Sequence, residues 1–248
     1  MPALNEERNL SSSVTAVKCA MATPCEFEII ILDDGSHDRT GQIGDELAAH
    51  DPQIRVVHNL VNRGPGYCYR RGVELARYDY VLMVPGDDET PAATIRTIAE
   101  HAGYADIIIT YTVNGHIRPV HRRIVSRLFT IIMNALFGLR LRYYNGNLLI
   151  RKELLRSIPI DTNFSYLAAV LVRLLKRGCS YIEIGISLQR RQKGQSKALR
   201  LGNFASVATS ILMLFLETRL LPGVASQGAR RTAREKHINV EVDRKDGL

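Results

Sequence analysis

Two clusters of carboxylates are the side chains of this sequence best suited to chemistry. Asp33 and Asp34 close the apolar run Glu28-Ile29-Ile30-Ile31-Leu32, and Asp87, Asp88 and Glu89 follow Tyr80-Val81-Leu82-Met83-Val84-Pro85-Gly86. Both runs read as strands buried on two faces, and open α/β sheets bind ligands beyond the carboxyl ends of such strands. A crevice so rich in carboxylates repels an anion unless a divalent cation intervenes. Hard cations such as Mg2+ or Mn2+ take oxygen ligands from one or two carboxylates and fill their shell with water and substrate phosphates. The pattern therefore points to a nucleotide diphosphate held through a metal. One acidic pair after a strand also serves as a turn or helix cap; two in matched context favour a ligand site.

The elements that must position these groups alternate strand and helix. After a helix to about Met21, capped by Asn9 or Ser11, strands are expected at Glu28–Leu32, Ile54–His58, Tyr80–Val84 and Ile107–Val113. Helices are expected at Asp38–His50 and Tyr67–Arg77, with Pro91 starting another. Asp38 reads as a cap rather than a ligand. The alternation implies a mostly parallel sheet with helices on both faces. Pro2-Ala3-Leu4-Asn5-Glu6 reads as the loop after a first strand that has no residues here. Either the sequence starts late or the sheet lacks that strand, and a late start is the expectation.

Length and composition bound the rest. At 248 residues, 46% hydrophobic and 23% charged, the chain suits one sizeable globular core. Its net charge of +8 is unevenly spread. Residues 1–117 carry 9 Lys/Arg against 17 Asp/Glu, whereas residues 118–200 carry 17 against 3. A basic block of that size needs an anionic counterpart. Its cations sit among apolar helices rather than beside stacking aromatics, which favours a lipid surface over nucleic acid. Arg123, Arg127, Thr130 and Asn134 recur at helical spacing through an apolar segment, as in a helix lying in a membrane interface; the alternative is a core helix with solvated arginines. Further strands are expected at Leu148–Ile150 and Ser180–Ile186, with a helix at 164–176 between them. The stretch 204–216 is apolar but broken by polar residues, so no segment reaches a spanning length. Cys19, Cys25, Cys68 and Cys179 lack metal-ligand spacing and follow no secretory signal, so they read as reduced, mostly buried thiols. A peripheral protein of the cytoplasmic membrane face is the expectation.

Five segments in order carry a resemblance: Pro2-Ala3-Leu4-Asn5-Glu6-Glu7, then Leu32-Asp33-Asp34-Gly35-Ser36-His37-Asp38-Arg39-Thr40, then Asn62-Arg63-Gly64-Pro65-Gly66, then Gly86-Asp87-Asp88-Glu89-Thr90-Pro91, and last Arg191-Gln192-Lys193-Gly194-Gln195-Ser196-Lys197. Together they resemble the motifs of family 2 glycosyltransferases over about residues 1–200, and the last resembles the dolichol-phosphate mannosyltransferase-like branch. The resemblance implies a GT-A α/β domain and an inverting transfer from a GDP- or UDP-sugar to a polyprenyl phosphate, with Mg2+ or Mn2+. It places Pro2, Asn5 and Glu6 along the base and ribose, with Asp33 or Asp34 accepting hydrogen bonds from them and Gly35 permitting the tight turn. Asp87 becomes the main metal ligand. The family's Asp-x-Asp-x-Gln motif has Pro85 at its first position, where Asp88 and Glu89 are candidates to restore the lost carboxylate. Arg122, Arg123, Ser126 and Arg127 would meet the acceptor phosphate. Arg191, Ser196 and Lys197 would close over donor and acceptor phosphates, with Gly194 as hinge. Arg142 stands where the family commonly has Asp, which puts sugar or acceptor preference in question.

The implied layout is a catalytic domain over 1–200 with its basic, membrane-facing part at 118–200. An interfacial or packing helix at 201–226 and a polar, disordered tail at 227–248 follow. Two alternatives stand beside this reading: a transferase to a polysaccharide or glycolipid, and a non-catalytic sugar-nucleotide-binding scaffold.

Overall fold

A computed structural model describes residues 1–22, 25–163, 165–190 and 202–220; the expected polar tail and the motif from Arg191 to Lys197 lie outside the described residues. In chain order the elements are β1 (Pro2–Ala3), α1 (Leu10–Ala20), β2 (Ile29–Asp33), α2 (Thr40–His50), β3 (Ile54–His58), α3 (Pro65–Leu75), β4 (Tyr80–Leu82) and α4 (Ala92–Glu100). Then come β5 (Ile107–Thr112), α5 (Val120–Phe137), β6 (Leu148–Arg151), α6 (Lys152–Arg156), α7 (Tyr166–Lys176), β7 (Tyr181–Ile186) and α8 (Gly202–Leu220).

The strands form two sheets. One is parallel, in the order β1-β2-β3, with Asp33 opposite Ala3 on one side and His58 on the other. The second has the order β4-β6-β5-β7, in which β5 and β7 are parallel but β6 runs antiparallel to both neighbours. The expectation of a mostly parallel sheet holds with that one reversal. A short apolar strand carries no mark of its direction, so Leu148–Ile150 could be placed in the sequence but not oriented. The first strand needs a larger correction. Pro2 and Ala3, read above as loop, pair with Leu32 and Asp33 as a strand of two residues.

β2 is buried at every position, with Ile31 and Leu32 at 0% and 1% exposure, as a strand covered on both faces requires. The larger core gathers around α7, where Val170, Leu171, Val172, Leu174 and Leu175 are fully buried against Ile107, Ile109, Leu148 and Ile150. Arg173 is buried among them and bonds to Glu217 of α8 at 2.8 Å and to Asp161 at 3.1 Å. That pairing satisfies a charge which burial alone would expel.

α5 behaves differently. Met133 and Phe137 are buried, and Phe129 meets the Tyr144 ring edge-on at 6.2 Å. Val120, Ile124, Leu128, Ile131, Ile132 and Leu136 remain exposed. The polar stripe is not uniform either: Asn134 turns inward, exchanging hydrogen bonds with Leu141 and accepting one from the Tyr144 hydroxyl at 2.8 Å. Among the described residues no helix is long and apolar enough to cross a membrane. The expectation of mostly buried thiols is half right, since Cys68 is buried but Cys19 and Cys25 are exposed. Both exposed cysteines lie at the end of α1 or in the chain after it.

Candidate active site

β1 is the bar on which both acidic strand ends hang. The Asp34 N–H donates to the Ala3 carbonyl at 2.9 Å, and the Gly86 N–H donates to the Pro2 carbonyl at 3.0 Å. Two residues thus bring the ends of β2 and β4 together at the carboxyl edge of the sheets, where ligands bind in open α/β folds.

The nucleotide-side residues form one interlocked loop cluster. Asn5 has a left-handed φ of 56°, a conformation its short side chain tolerates better than most. Its N–H donates to Ser36 Oγ at 3.0 Å and its Oδ1 accepts from the His37 N–H at 2.9 Å. The Glu6 N–H donates to Thr40 Oγ1 at 2.7 Å, while its carboxylate is buried and accepts from Asn9. Gly35 adopts φ 70°, and a Cβ there would stand 2.7 Å from the Val61 carbonyl carbon, so only glycine fits. Asp38, expected as the cap of α2, lies one residue ahead of the N-cap Arg39 and acts as a turn residue, accepting from the Thr40 N–H and from the Glu7 N–H.

Asp33 and Asp34 are both buried and both occupied. Asp34 accepts from Asn59 Nδ2 at 2.8 Å and from the Arg63 and Gly64 N–H groups at 2.9 and 2.8 Å, which ties β2 to the head of α3. Asp33 accepts from the Ser36 N–H at 3.2 Å and meets His58 Nδ1 at 3.0 Å. His58 also meets Asp45 at 3.0 Å, and the hydrogen bond to Asp33, with that to Asp45, holds its imidazolium above the ordinary histidine range. These aspartates shape the pocket wall as well as offering lone pairs to it. A carboxylate has about four acceptor sites, so capacity remains on each.

On the other side, Asp87 and Glu89 are half-buried and Asp88 is buried. Asp88 takes φ 59°, its N–H donates to Ser13 Oγ at 2.9 Å, and burial together with the Asp87 charge pushes its carboxyl above the usual range. Asp87 and Glu89 are the less buried of the three, and the Asp87 carboxylate accepts from the Glu89 N–H at 3.2 Å. Among the described residues no three Asp, Glu, His or Cys side chains gather as a complete metal cage. A cation such as Mg2+ needs only one or two carboxylates and takes its remaining ligands from a diphosphate and water.

The chain that leads into the basic motif is fastened to this acidic loop. The Gln189 N–H donates to the Glu89 carbonyl at 3.0 Å, and Gln189 Nε2 donates to the Asp88 carbonyl at 2.6 Å. One residue earlier, Leu188 exchanges two hydrogen bonds with the Asn114 side chain at 2.7 and 3.1 Å. The chain departing toward Arg191, Ser196 and Lys197 therefore starts beside Asp87, although those three lie outside the described residues. Arg122, Arg123, Ser126 and Arg127 sit on the first turns of α5; Arg123 and Arg127 are exposed, Arg122 and Ser126 half-buried. Arg142, which replaces an expected acid, lies over the Tyr111 ring at 4.5 Å.

Sequence reasoning missed Ser13, His58, Asn114, Asn147 and Gln189. Asn147 is buried and donates to the Met83 carbonyl at 2.9 Å, fixing the end of β4. Of these, only His58 had a readable signal, its place at the end of the strand beside Asp33.

Comparison with known proteins agrees with this geometry. Residues 1–175 match the model of glycosyl transferase family 2, so the chain belongs to that family and is a glycosyltransferase. It is 28% identical over 211 residues to the polyprenol monophosphomannose synthase of Mycolicibacterium smegmatis, covering 79% of this chain and 78% of that one. It is 26% identical over 210 residues to the undecaprenyl-phosphate mannosyltransferase of Micrococcus luteus, covering 79% and 85%. Among solved structures, glucosyl-3-phosphoglycerate synthase of Mycobacterium tuberculosis with Mn2+, UDP and glucosyl-3-phosphoglycerate aligns with a TM-score of 0.64 at 18% identity, over 87% of this chain and 77% of that one. At that identity the likeness carries the GT-A fold alone.

Proposed function

We propose that the protein transfers a sugar from a nucleotide sugar to a polyprenyl phosphate at a membrane surface, inverting the anomeric centre. The observation that carries this reading is the pair of Gln189 hydrogen bonds to the Asp88 and Glu89 carbonyls, at 2.6 and 3.0 Å. They fasten the chain at Gln189, just ahead of the basic motif, to the loop that carries Asp87, Asp88 and Glu89. Two relatives named as polyprenyl-phosphate sugar transferases support the acceptor class.

Such a reaction asks little proton chemistry of the protein. A phosphate acceptor is already anionic at neutral pH, so rate depends on alignment and on neutralising charge between the attacking phosphate and the departing diphosphate. Pro2, Asn5, Glu6, Asp33, Asp34 and Gly35 form the donor pocket. Asp87 and Glu89 would hold Mg2+ or Mn2+, which neutralises diphosphate charge when bound. Arg122, Arg123, Ser126 and Arg127 receive the acceptor phosphate, for which the guanidinium fork is suited. Arg191, Ser196 and Lys197 cover the phosphates as the bond breaks. The bare apolar residues of α5, with arginines at its head, lie in the leaflet interface beside the lipid.

The test is transfer of radiolabel from GDP- and UDP-sugars into an organic-extractable lipid in vesicles containing polyprenyl phosphate. Label should enter the lipid with the intact chain and fall at least a hundredfold with Asp87→Asn, whose circular dichroism and melting stay unchanged. Label entering only water-soluble glycan would refute the lipid acceptor.

A further inference from the structure

β2 and β3 run in parallel register with Ile31 opposite Val56 and Asp33 opposite His58, so these four side chains stand on one face of the sheet. α2 covers that face, and two of its glycines, one turn apart, let it come close. A Cβ on Gly44 would meet Val56 and Ile31 at 3.4 and 3.8 Å, and one on Gly41 would stand 2.8 Å from Asp33 Oδ2 and 3.3 Å from the His58 ring. The helix therefore boxes in one oxygen of Asp33. The same helix reaches the donor pocket a second time, because Thr40 at its head is buried and accepts from the Glu6 N–H at 2.7 Å.

His58 meets a carboxylate with each ring nitrogen. Nδ1 meets Asp33 Oδ2 of β2 and Nε2 meets Asp45 Oδ1 of α2, both at 3.0 Å. These are the charged groups that face it from the two elements packed most closely on β3. A neutral imidazole has one N–H and can serve one carboxylate, whereas the imidazolium serves both. So bonded, His58 holds Oδ2 on one side while Gly41 leaves it no room on another. Oδ1 is spent differently. Among the described residues it accepts only from the Ser36 N–H, at 3.2 Å, which leaves it a lone pair for a ligand.

We propose that His58 is a positioning residue for donor binding: by bridging Asp33 to Asp45 it fixes the Asp33 carboxylate so that Oδ1 serves the nucleoside of the donor. This rests on the reading of Asp33 as part of the donor pocket. The bridge acts on donor affinity rather than on the bond that breaks, since Asp33 belongs to the base and ribose side and the diphosphate belongs to the loop of Asp87 and Glu89. It also gives that affinity a pH dependence. The hydrogen bond to Asp33, with that to Asp45, holds the imidazolium above the ordinary histidine range, so the bridge is complete below about pH 6.5 and is undone as pH rises through the folded value.

The test is calorimetry of UDP and of GDP with Mg2+, at about pH 6 and about pH 8.5 on either side of the histidine range, on the wild type, His58→Gln, Asp33→Asn and the double variant. For the nucleotide that binds, His58→Gln should weaken affinity roughly five- to tenfold at the lower pH, the worth of one well-placed hydrogen bond. The ratio of wild-type to variant affinity should shrink at the higher pH, and taking the ratio cancels the ionisation of the nucleotide itself. Asp33→Asn should weaken binding at least as much, and His58→Gln should add less than about twofold on top of it, because the two act as one unit. At saturating donor, kcat of His58→Gln should stay within about twofold of the wild type, a split between affinity and turnover that a loosened fold would not give. Gly41→Ala, which drives a methyl at Asp33 Oδ2, should imitate the loss of affinity. Unchanged affinity in His58→Gln where Asp33→Asn loses it, a ratio that does not move with pH, or an undiminished His58→Gln loss on top of Asp33→Asn would each overturn the inference and leave the donor pocket standing. Affinity untouched by Asp33→Asn, or no binding of either nucleotide, would instead refute the pocket itself and the inference with it.

Discussion

Helices α5 and α7 are composed alike, aliphatic residues broken by arginine, and the fold treats them oppositely. α7 is buried from Tyr166 to Leu175, and its Arg173 lies between the carboxylates of Asp161 and Glu217. α5 buries Met133 and Phe137 and leaves six large aliphatic residues bare, with Arg123 and Arg127 in solvent. Apolar content says that a helix needs cover; it does not say what supplies it. The difference lies in the carboxylates. An interior guanidinium needs acids brought from distant segments, and α8 delivers Glu217 to α7. α5 has aliphatic cover on one side alone, which suits a surface whose other side is hydrocarbon.

The strongest way to break this contrast is to remove the buried charge. Arg173→Ala strands two acids against the core and should cost about 3–5 kcal/mol in urea unfolding. Arg127→Ala, on the exposed helix, should change stability by less than about 0.5 kcal/mol. Equal costs would mean that the two arginines occupy equivalent surroundings.

The outer face of α5 provides the next test. Replacing Ile124, Leu128, Ile131 and Ile132 with Ser should leave the melting midpoint nearly unchanged, because these side chains already face outward. Flotation with anionic vesicles should fall roughly tenfold or more, and the residual binding should weaken with salt over a Debye length of about 8 Å. Phe129 and Phe137 do not belong in that set. Phe137 is 2% exposed and meets the Phe215 ring at 6.2 Å, so its loss would report on folding rather than on membrane contact.

That distinction marks where the sequence stops being legible. Strand and helix positions in the first hundred residues follow from apolar runs, and β3 agrees residue for residue with Ile54–His58. The acidic strand ends were equally visible, because a run such as Ile29–Leu32 ending in two aspartates has few other readings. Which face of α5 turns inward was not visible, since Phe129, Ile132 and Phe137 lie within two turns and packing alone separates them. Nor was the spending of Asp34 on Asn59, Arg63 and Gly64, because long-range hydrogen bonds leave no periodicity. Gln189 is the clearest case. It precedes a recognisable motif by two residues, yet only the fold shows that it joins that motif to Asp88 and Glu89.

The smallest expected effect concerns the acidic side and sharpens the contrast by pH. His58 stands between Asp33 and Asp45, and the hydrogen bond to Asp33 is the main reason its folded pKa is raised. A raised pKa means that the folded state holds the proton more tightly than the unfolded chain, whose histidine titrates near 6.5. The stabilisation is therefore fully present below about pH 6.5 and is lost as pH rises through the folded value. Because the His58 side chain is 44% exposed, solvent screening keeps the contribution to roughly 0.5 kcal/mol or less. An NMR titration of the His58 ring should show a midpoint above 6.5 that moves down in Asp33→Asn and moves less in Asp45→Asn. His58→Gln should flatten the fall in stability between neutral and alkaline pH without altering vesicle flotation, since its hydrogen bonds among the described residues go to Asp33 and Asp45, not to α5. If flotation changed with His58, the acidic and basic halves would be coupled, and the contrast between them would describe one continuous surface instead of two.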